Sequence, residues 1–398
     1  MAKNKKTALF LLGNYHAFFV TGAMVLMLGA AMPHILRDYQ MGYDQGGTLL
    51  MLQAMGNLVA AVLGGVISVY VGRRAVLVFG ALTYALAYGG IAFSSSPVAL
   101  YALVSLSGLG WGIINNLVNL VVSDRTKGDA GAINLLHMMF GVGALTGPFL
   151  VSLAIGSGLG WRIAMVTIAT LSLILAYVFL RMDLSEPVPN ADMETQSKKG
   201  KISFAFLNDV RFYIFMLILF FYVGSESIVN GWLTTYLLDT GIADEYSARG
   251  LLSITWFAVI LGRLGCALLS KYTRKEMLLL AGGLGSILFA ISLLFSNSLL
   301  MVYVSVIGLG LSFAGMYPNT VANADYLIQG SGTASGIMFS GGGLGASLIP
   351  YIVGLRAESS GIAAGMNTLM ISVLVLASLC TINFAIGRTK TSKLKSNN

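Results

Sequence analysis

Residues 211–238 read RFYIFMLILFFYVGSESIVNGWLTTYLL. The run opens on Arg211, and Glu226 is its one acidic residue. A helix needs about 20 predominantly apolar residues to cross a bilayer, so this stretch predicts a transmembrane helix. Glu226 lies about 15 residues from one end and about 12 from the other, which at about 1.5 Å per residue puts it near the bilayer midplane. A carboxylate at that depth costs several kcal/mol unless it is protonated, paired or wetted, and is a functional candidate by default.

Eleven further stretches read the same way. In the first half they are Thr7–Ile35, Asp44–Val71, Arg74–Phe93, Val98–Ser123, Gly131–Ile155 and Trp161–Arg181. After Arg211–Leu238 the second half continues with Tyr246–Ser270, Glu276–Phe295, Leu299–Asn323, Gly332–Val353 and Gly361–Ile386. The expected fold is all-α and integral to the membrane, with twelve transmembrane helices in two six-helix bundles. Residues 1–181 form the first bundle, 182–208 a cytoplasmic linker, 209–388 the second bundle and 389–398 a basic cytoplasmic tail. The linker holds Glu186, Pro187, Pro189, Asp192, Glu194, Lys198, Lys199 and Lys201, and no catalytic motif.

Composition agrees. The chain is 56% hydrophobic and only 10% charged, against roughly 25% charged for a soluble domain. Its 48 glycines suit close helix packing in lipid. The basic start, Met1 to Thr7, runs straight into an apolar stretch with no A-x-A-like site, so the first helix is expected to be retained. Cys266 and Cys380 both lie in apolar segments and match neither a metal site nor a disulfide framework.

The formal charge of +8 points away from nucleic acid once the charges are placed. Twenty of the 24 Lys and Arg residues fall on the side of the N-terminus, leaving Arg37, Arg162, Arg249 and Arg356 on the other. That asymmetry predicts both termini in the cytoplasm. The reading is a multi-pass protein of a bacterial cell membrane. It is expected to be a monomer surrounded by lipid, with a small solute as its ligand and with no cofactor, metal or nucleic-acid partner.

The two halves match each other. Phe18-Phe19-x-x-Gly22 with Gly29 recurs as Phe220-Phe221-x-x-Gly224 with Gly231. Gly64 followed by Arg73-Arg74 recurs as Gly265 followed by Arg274-Lys275, and Gly108-x-Gly110 with Asp124 recurs as Gly308-x-Gly310 with Asp325. A nearly constant offset over three regions marks a parallel repeat, a design found in secondary transporters.

At these residues the chain resembles the major facilitator superfamily. The family's loop between helices two and three, of the type Gly-x-x-x-Asp-x-x-Gly-Arg-Arg/Lys, reads here Gly65-Val-Ile-Ser-Val69-Tyr-Val-Gly72-Arg73-Arg74. Val69 stands at the family's Asp position. In the second-half echo Ser270 stands there, and Thr273 replaces the glycine. Three stretches are similar to the fucose permease branch, a group of sugar–proton symporters. They are Asn134 to Pro148 in helix five, Tyr222 to Trp256 and Gly262-Arg263 in helices seven and eight, and Ser335 to Pro350 in helix eleven. Where members of the branch often carry a Glu in helix four, this chain has Asn115, four residues before Asn119. The resemblance implies proton-coupled symport of a small neutral solute, a sugar above all, by alternating access.

The residues themselves suit that expectation. Tyr222, Glu226 and Asn230 fall at i, i+4 and i+8, so they share a helix face. Trp111, Asn115 and Asn119 do the same on helix four. Asn14, Gln53, Trp232, Trp256 and Asn319 are further substrate-binding candidates, because neutral amides and aromatic faces match a polyhydroxy compound. Each could equally be interhelical polar glue, worth about 0.6 kcal/mol per hydrogen bond. No basic partner for Glu226 is visible nearby in sequence, which favours a protonatable state and makes it the proton-coupling candidate; sodium is the alternative ion. His137 could also titrate near neutrality, or simply bond a neighbouring helix. Arg73, Arg74, Asp124, Arg274 and Lys275 are expected to clamp helix ends at the cytoplasmic face as gating residues, or to act as topology signals alone.

Two rival functions stand beside this one. Gly143-x-x-x-Gly147-Pro148 is a packing and kinking motif that also resembles drug–proton antiporters, although Val104 and Ser105 occupy the helix-four region where those carry Arg. A membrane-embedded enzyme would want an acid–base pair or metal cluster, and a channel a filter or charged ring. No such pattern stands out.

Overall fold

The computed structural model describes residues 2–127, 129–182, 184, 205–328 and 331–396, and among them there is no strand. The helices are α1 Ala2–Tyr39, α2 Tyr43–Val71, α3 Arg73–Phe93, α4 Pro97–Thr126, α5 Ala130–Gly156 and α6 Trp161–Arg181. They continue with α7 Val210–Asp239, α8 Glu245–Leu269, α9 Lys275–Leu294, α10 Leu299–Ile328, α11 Gly332–Ser360 and α12 Ile362–Ser396. Eleven of these are long and apolar enough to cross a membrane, and α2 makes a twelfth when its two segments, bent by 43°, count as one span. Almost all of the predicted linker lies outside the described residues; its end, Ala205–Asn208, is a 3-10 turn. The backbone of α12 stays helical to Ser396, through most of the segment read as a tail.

Helix ends and breaks have local causes. The first N–H groups of a helix lack intrahelical acceptors, and side-chain caps supply them. Asp129 caps α5 through the Ala132 N–H, at 2.8 Å. Asp209 accepts from the Arg211 N–H of α7 at 2.9 Å, and Asp244 from the Ser247 N–H of α8 at 2.8 Å. In α2 the bend falls where the Asn116 amide donates to the Ala61 carbonyl at 2.5 Å. A side chain that takes a carbonyl out of the helical ladder in this way is a recognised source of kinks. In α10 the helix breaks at Gly315, because Pro318 has no N–H to offer the carbonyl four residues earlier.

The chain divides into two compact units, Met1–Lys201 and Ile202–Asn398. Within the first, α1 packs chiefly on α5, α2 on α4 and α3 on α6. Within the second, α7 packs on α11, α8 on α10 and α9 on α12. The pairing is the same at an offset of six helices, so the repeat read in sequence is a repeat of packing. Glycine makes the closest of these contacts possible: a Cβ on Gly143 would meet the Phe19 carbonyl, and one on Gly345 the Phe220 carbonyl. Large apolar side chains such as Leu86, Phe149, Leu264 and Leu288 stay more than half exposed, as expected of helices whose solvent is lipid.

Candidate functional site

In the second unit α7 carries Tyr222, Glu226 and Asn230 on one face. The Tyr222 hydroxyl donates to Glu226 Oε1 at 3.0 Å. One turn further along, Asn230 Oδ1 accepts from the Trp256 indole N–H of α8 at 2.9 Å. Arg263 follows Trp256 by seven residues, two helical turns, and so shares its face of α8. Its guanidinium sits over the Trp256 ring, 6.0 Å from the centroid, and its charge acts on Glu226 and on Tyr222. Helices α10 and α11 wall the cluster: the Tyr222 ring meets Phe313 edge-on at 5.9 Å, and Tyr317 stacks on Phe339 at 6.0 Å. Glu226, Asn230 and Arg263 are all partly exposed and Tyr317 and Phe339 exposed, while Tyr222 and Phe313 are buried.

No basic residue lies close to Glu226 along the chain, and its basic neighbour comes from another helix. The folded chain places Arg263 inside α8, six residues before its end at Leu269, within electrostatic reach of the carboxyl. The signal that could have found it was the spacing of Trp256 and Arg263 on one helical face.

Two aromatic and amide candidates belong to the packing of this unit. Trp232 is fully buried, and its indole N–H donates to the Pro350 carbonyl at 2.9 Å, tying α7 to α11. The Asn319 amide is buried and donates to the Gly315 carbonyl at 2.8 Å, closing the break in α10.

The first unit holds its polar groups differently. Gln53 is buried and donates to Ser107 Oγ at 3.2 Å. Nearby, the Tyr88 hydroxyl donates to the Met24 carbonyl at 2.7 Å, and Thr21 shares a 3.0 Å hydrogen bond with Tyr84. Asn14 is fully buried; its Nδ2 donates to the Phe10 carbonyl at 2.8 Å, while Oδ1 has no hydrogen-bond partner among the described residues. Trp111, Asn115 and Asn119 are partly exposed, and Asn119 donates to the Asn115 carbonyl at 2.7 Å. His137 is exposed on α5, with its ring edge-on to Phe18 at 5.4 Å.

The basic loop residues form two clusters. Arg73 pairs with Asp124 at 2.7 Å, and Arg74 donates to the Met182 carbonyl at 3.0 Å. In the second unit Arg274 pairs with Glu276 at 3.6 Å, and Lys275 donates to the Ala322 carbonyl at 3.2 Å. The Arg73, Arg74 and Lys275 contacts join one helix to another, whereas Arg274–Glu276 lies within the first turn of α9 and Arg274 reaches α12 through the Gly387 carbonyl, at 3.4 Å.

Known proteins share this architecture. The sequence model of the Major Facilitator Superfamily matches residues 16–350. A sodium-dependent glucose transporter 1 from Xenopus laevis is 26% identical over 396 residues, covering 91% of this chain and 78% of its own length. The glucose/mannose transporter GlcP of Bacillus subtilis is 24% identical, covering 95% of this chain and 94% of its own. Among solved structures, the nucleoside transporter NupG superposes with a TM-score of 0.75 at 17% identity, over 96% of this chain and 98% of that one. A D-xylose-proton symporter superposes with a TM-score of 0.75 at 14% identity, over 95% and 96%. With eleven or twelve apolar spans among the described residues, in two repeated units, and a family match across most of its length, this multi-pass membrane protein belongs to the Major Facilitator Superfamily of transporters.

Proposed function

We propose that the protein carries a neutral sugar across the cell membrane by cation-coupled symport, with both termini in the cytoplasm. It works as a monomer by alternating access, and Glu226 is the coupling carboxyl. The observation that carries this reading is the arrangement on α7: an acid in the middle of a membrane span, hydrogen-bonded by Tyr222, one turn from the Asn230–Trp256 pair. An intramembrane carboxyl held by a neutral donor can load and release a cation without breaking a fixed ion pair. The amide and indole beside it offer the donors, acceptors and apolar face that a sugar ring uses. Relatives named as glucose carriers, one of them matched over 94% of its length, support the substrate class.

Proton is the favoured ion, since the site has one carboxyl and a phenol rather than a ring of oxygen ligands. Sodium is kept as a second reading because three of the relatives are named sodium-dependent.

The experiment is uptake of glucose and a panel of monosaccharides into liposomes, for wild type and Glu226→Gln, under a proton gradient or a sodium gradient. Accumulation by wild type under protons, with exchange but no accumulation by Glu226→Gln, supports the reading. Accumulation by the variant equal to wild type would make Glu226 structural. Accumulation under sodium alone would change the ion.

A further inference from the structure

The proposed site contains two formal charges of opposite sign, Glu226 and Arg263. The groups that face Glu226 are Tyr222 on its own helix and Arg263 on α8, and Tyr317 of α10 faces Tyr222. The phenols are neutral at ordinary pH, which leaves the carboxylate and the guanidinium. These two charges are not fused into a contact pair. Among the described residues no ion pair within 4.0 Å involves Arg263, and its guanidinium rests on the Trp256 face instead. Trp256 is the bridge between them: it holds Arg263 over its ring and donates its N–H to Asn230, one turn from Glu226.

We infer that Glu226 and Arg263 form a charge-selection pair that, while Glu226 carries no proton, admits an uncharged sugar and rejects sugar acids. This deepens the sugar-transport reading above and rests on it. The physical reason is desolvation. A ligand carboxylate entering a partly buried site loses water, and recovers that loss only if the site supplies net positive charge. With Glu226 ionised, the repulsion from its carboxylate offsets the attraction of Arg263, and the acid gains little. A neutral sugar has no such debt to recover, and its adjacent hydroxyls can accept the parallel N–H donors of the guanidinium. Specificity of this kind comes from a repulsive element as much as from an attractive one. Removing the charge of Glu226 leaves Arg263 unopposed and turns the site into a carboxylate receptor. Removing both charges restores neutrality.

The test is displacement of labelled glucose from the full-length protein in nanodiscs, in mildly alkaline buffer, by unlabelled glucose and by glucuronate. Binding needs no gradient, so loss of coupling does not obscure it. The reading is the ratio of the two half-displacement concentrations, which normalises any general loss of affinity. Relative to wild type, Glu226→Gln is expected to move the ratio toward glucuronate by about tenfold or more, the scale of one charge interaction near a protein surface. Arg263→Gln should move it away from glucuronate, and the double variant should return to within about threefold of wild type. Arg263→Met, which removes the charge but keeps an apolar stem against Trp256, should move the ratio the same way and serves where Arg263→Gln does not fold. A Glu226→Gln protein that still binds glucose with an unchanged ratio overturns the inference while leaving the sugar reading intact. Wild type that binds no neutral sugar overturns both.

Discussion

Gly345→Ala adds one methyl group where α11 meets α7, and the structure sets the size of its effect. A Cβ at Gly345 would lie 2.7 Å from the carbonyl carbon and 2.9 Å from the Cα of Phe220, and closer still to the Phe220 carbonyl oxygen. These are backbone atoms inside a helix, so they cannot rotate away as a flexible side chain could. Overpacking a tight interior costs about 1–3 kcal/mol, and a rigid obstacle puts this case at the upper end. Alanine returns about 1 kcal/mol through its better helix propensity. The expected net loss is about 2 kcal/mol, or a fall in Tm of about 4–8 °C for a unit of this size. Gly250→Ala on α8 is the control, because no atom lies within 4 Å of its Cβ position; there the propensity gain should stand alone and raise Tm slightly. Thermal unfolding of the full chain in detergent, followed with a thiol-reactive dye, reads both, since Cys380 is a buried free thiol of the same unit. Gly345→Ala with a Tm equal to or above wild type would refute backbone-to-backbone packing of α7 on α11.

Other consequences follow from single contacts. Trp232→Phe removes the indole N–H that serves the Pro350 carbonyl, and should lower stability by about 1–2 kcal/mol while glucose displacement stays intact; loss of binding at full stability would return Trp232 to the ligand site. Arg73 and Asp124, with side chains 21% and 27% exposed, should show a coupling of about 1 kcal/mol in a double-mutant cycle read by Tm, and a coupling of zero would dissolve the clamp. Asp244 caps α8, and its carboxyl is held below its ordinary value of 3.8 by the Ser247 backbone N–H first and the Ser247 hydroxyl second. A depressed folded value means the contribution is fully present above the unfolded value and fades as pH falls below it. Wild type should therefore lose Tm more steeply than Asp244→Asn on acidification below about pH 4, and parallel curves would count against the cap.

Much of the molecule was legible in advance. The helix spans follow from hydropathy, because a bilayer sets one required length for every crossing. Gly22 and Gly224, at the α1–α5 and α7–α11 contacts, were visible as a repeat because close packing restricts residue size at fixed positions. Glu226 stood out because an acid at that depth has to be explained. The roles of the amides and indoles were not legible. Trp232 and Trp256 both lie in apolar spans, yet one is spent on a carbonyl of α11 and the other faces Asn230 and Arg263. Asn14 and Gln53 read like ligand residues and are buried in packing.

The sequence alone determined which segments cross the membrane, their number, the internal repeat and the one carboxyl that needs a function. Hydropathy and charge are properties of a residue and its position along the chain, and they suffice for that. Only the tertiary structure decided which face of each helix turns inward. In lipid both the outside and the inside of a bundle are apolar, so the pattern that would orient a helix in water is weak. The rotation of α8 that turns its Trp256–Arg263 face toward Asn230 and Glu226 depends on packing against α7 and α10, and it appears only when the helices are assembled.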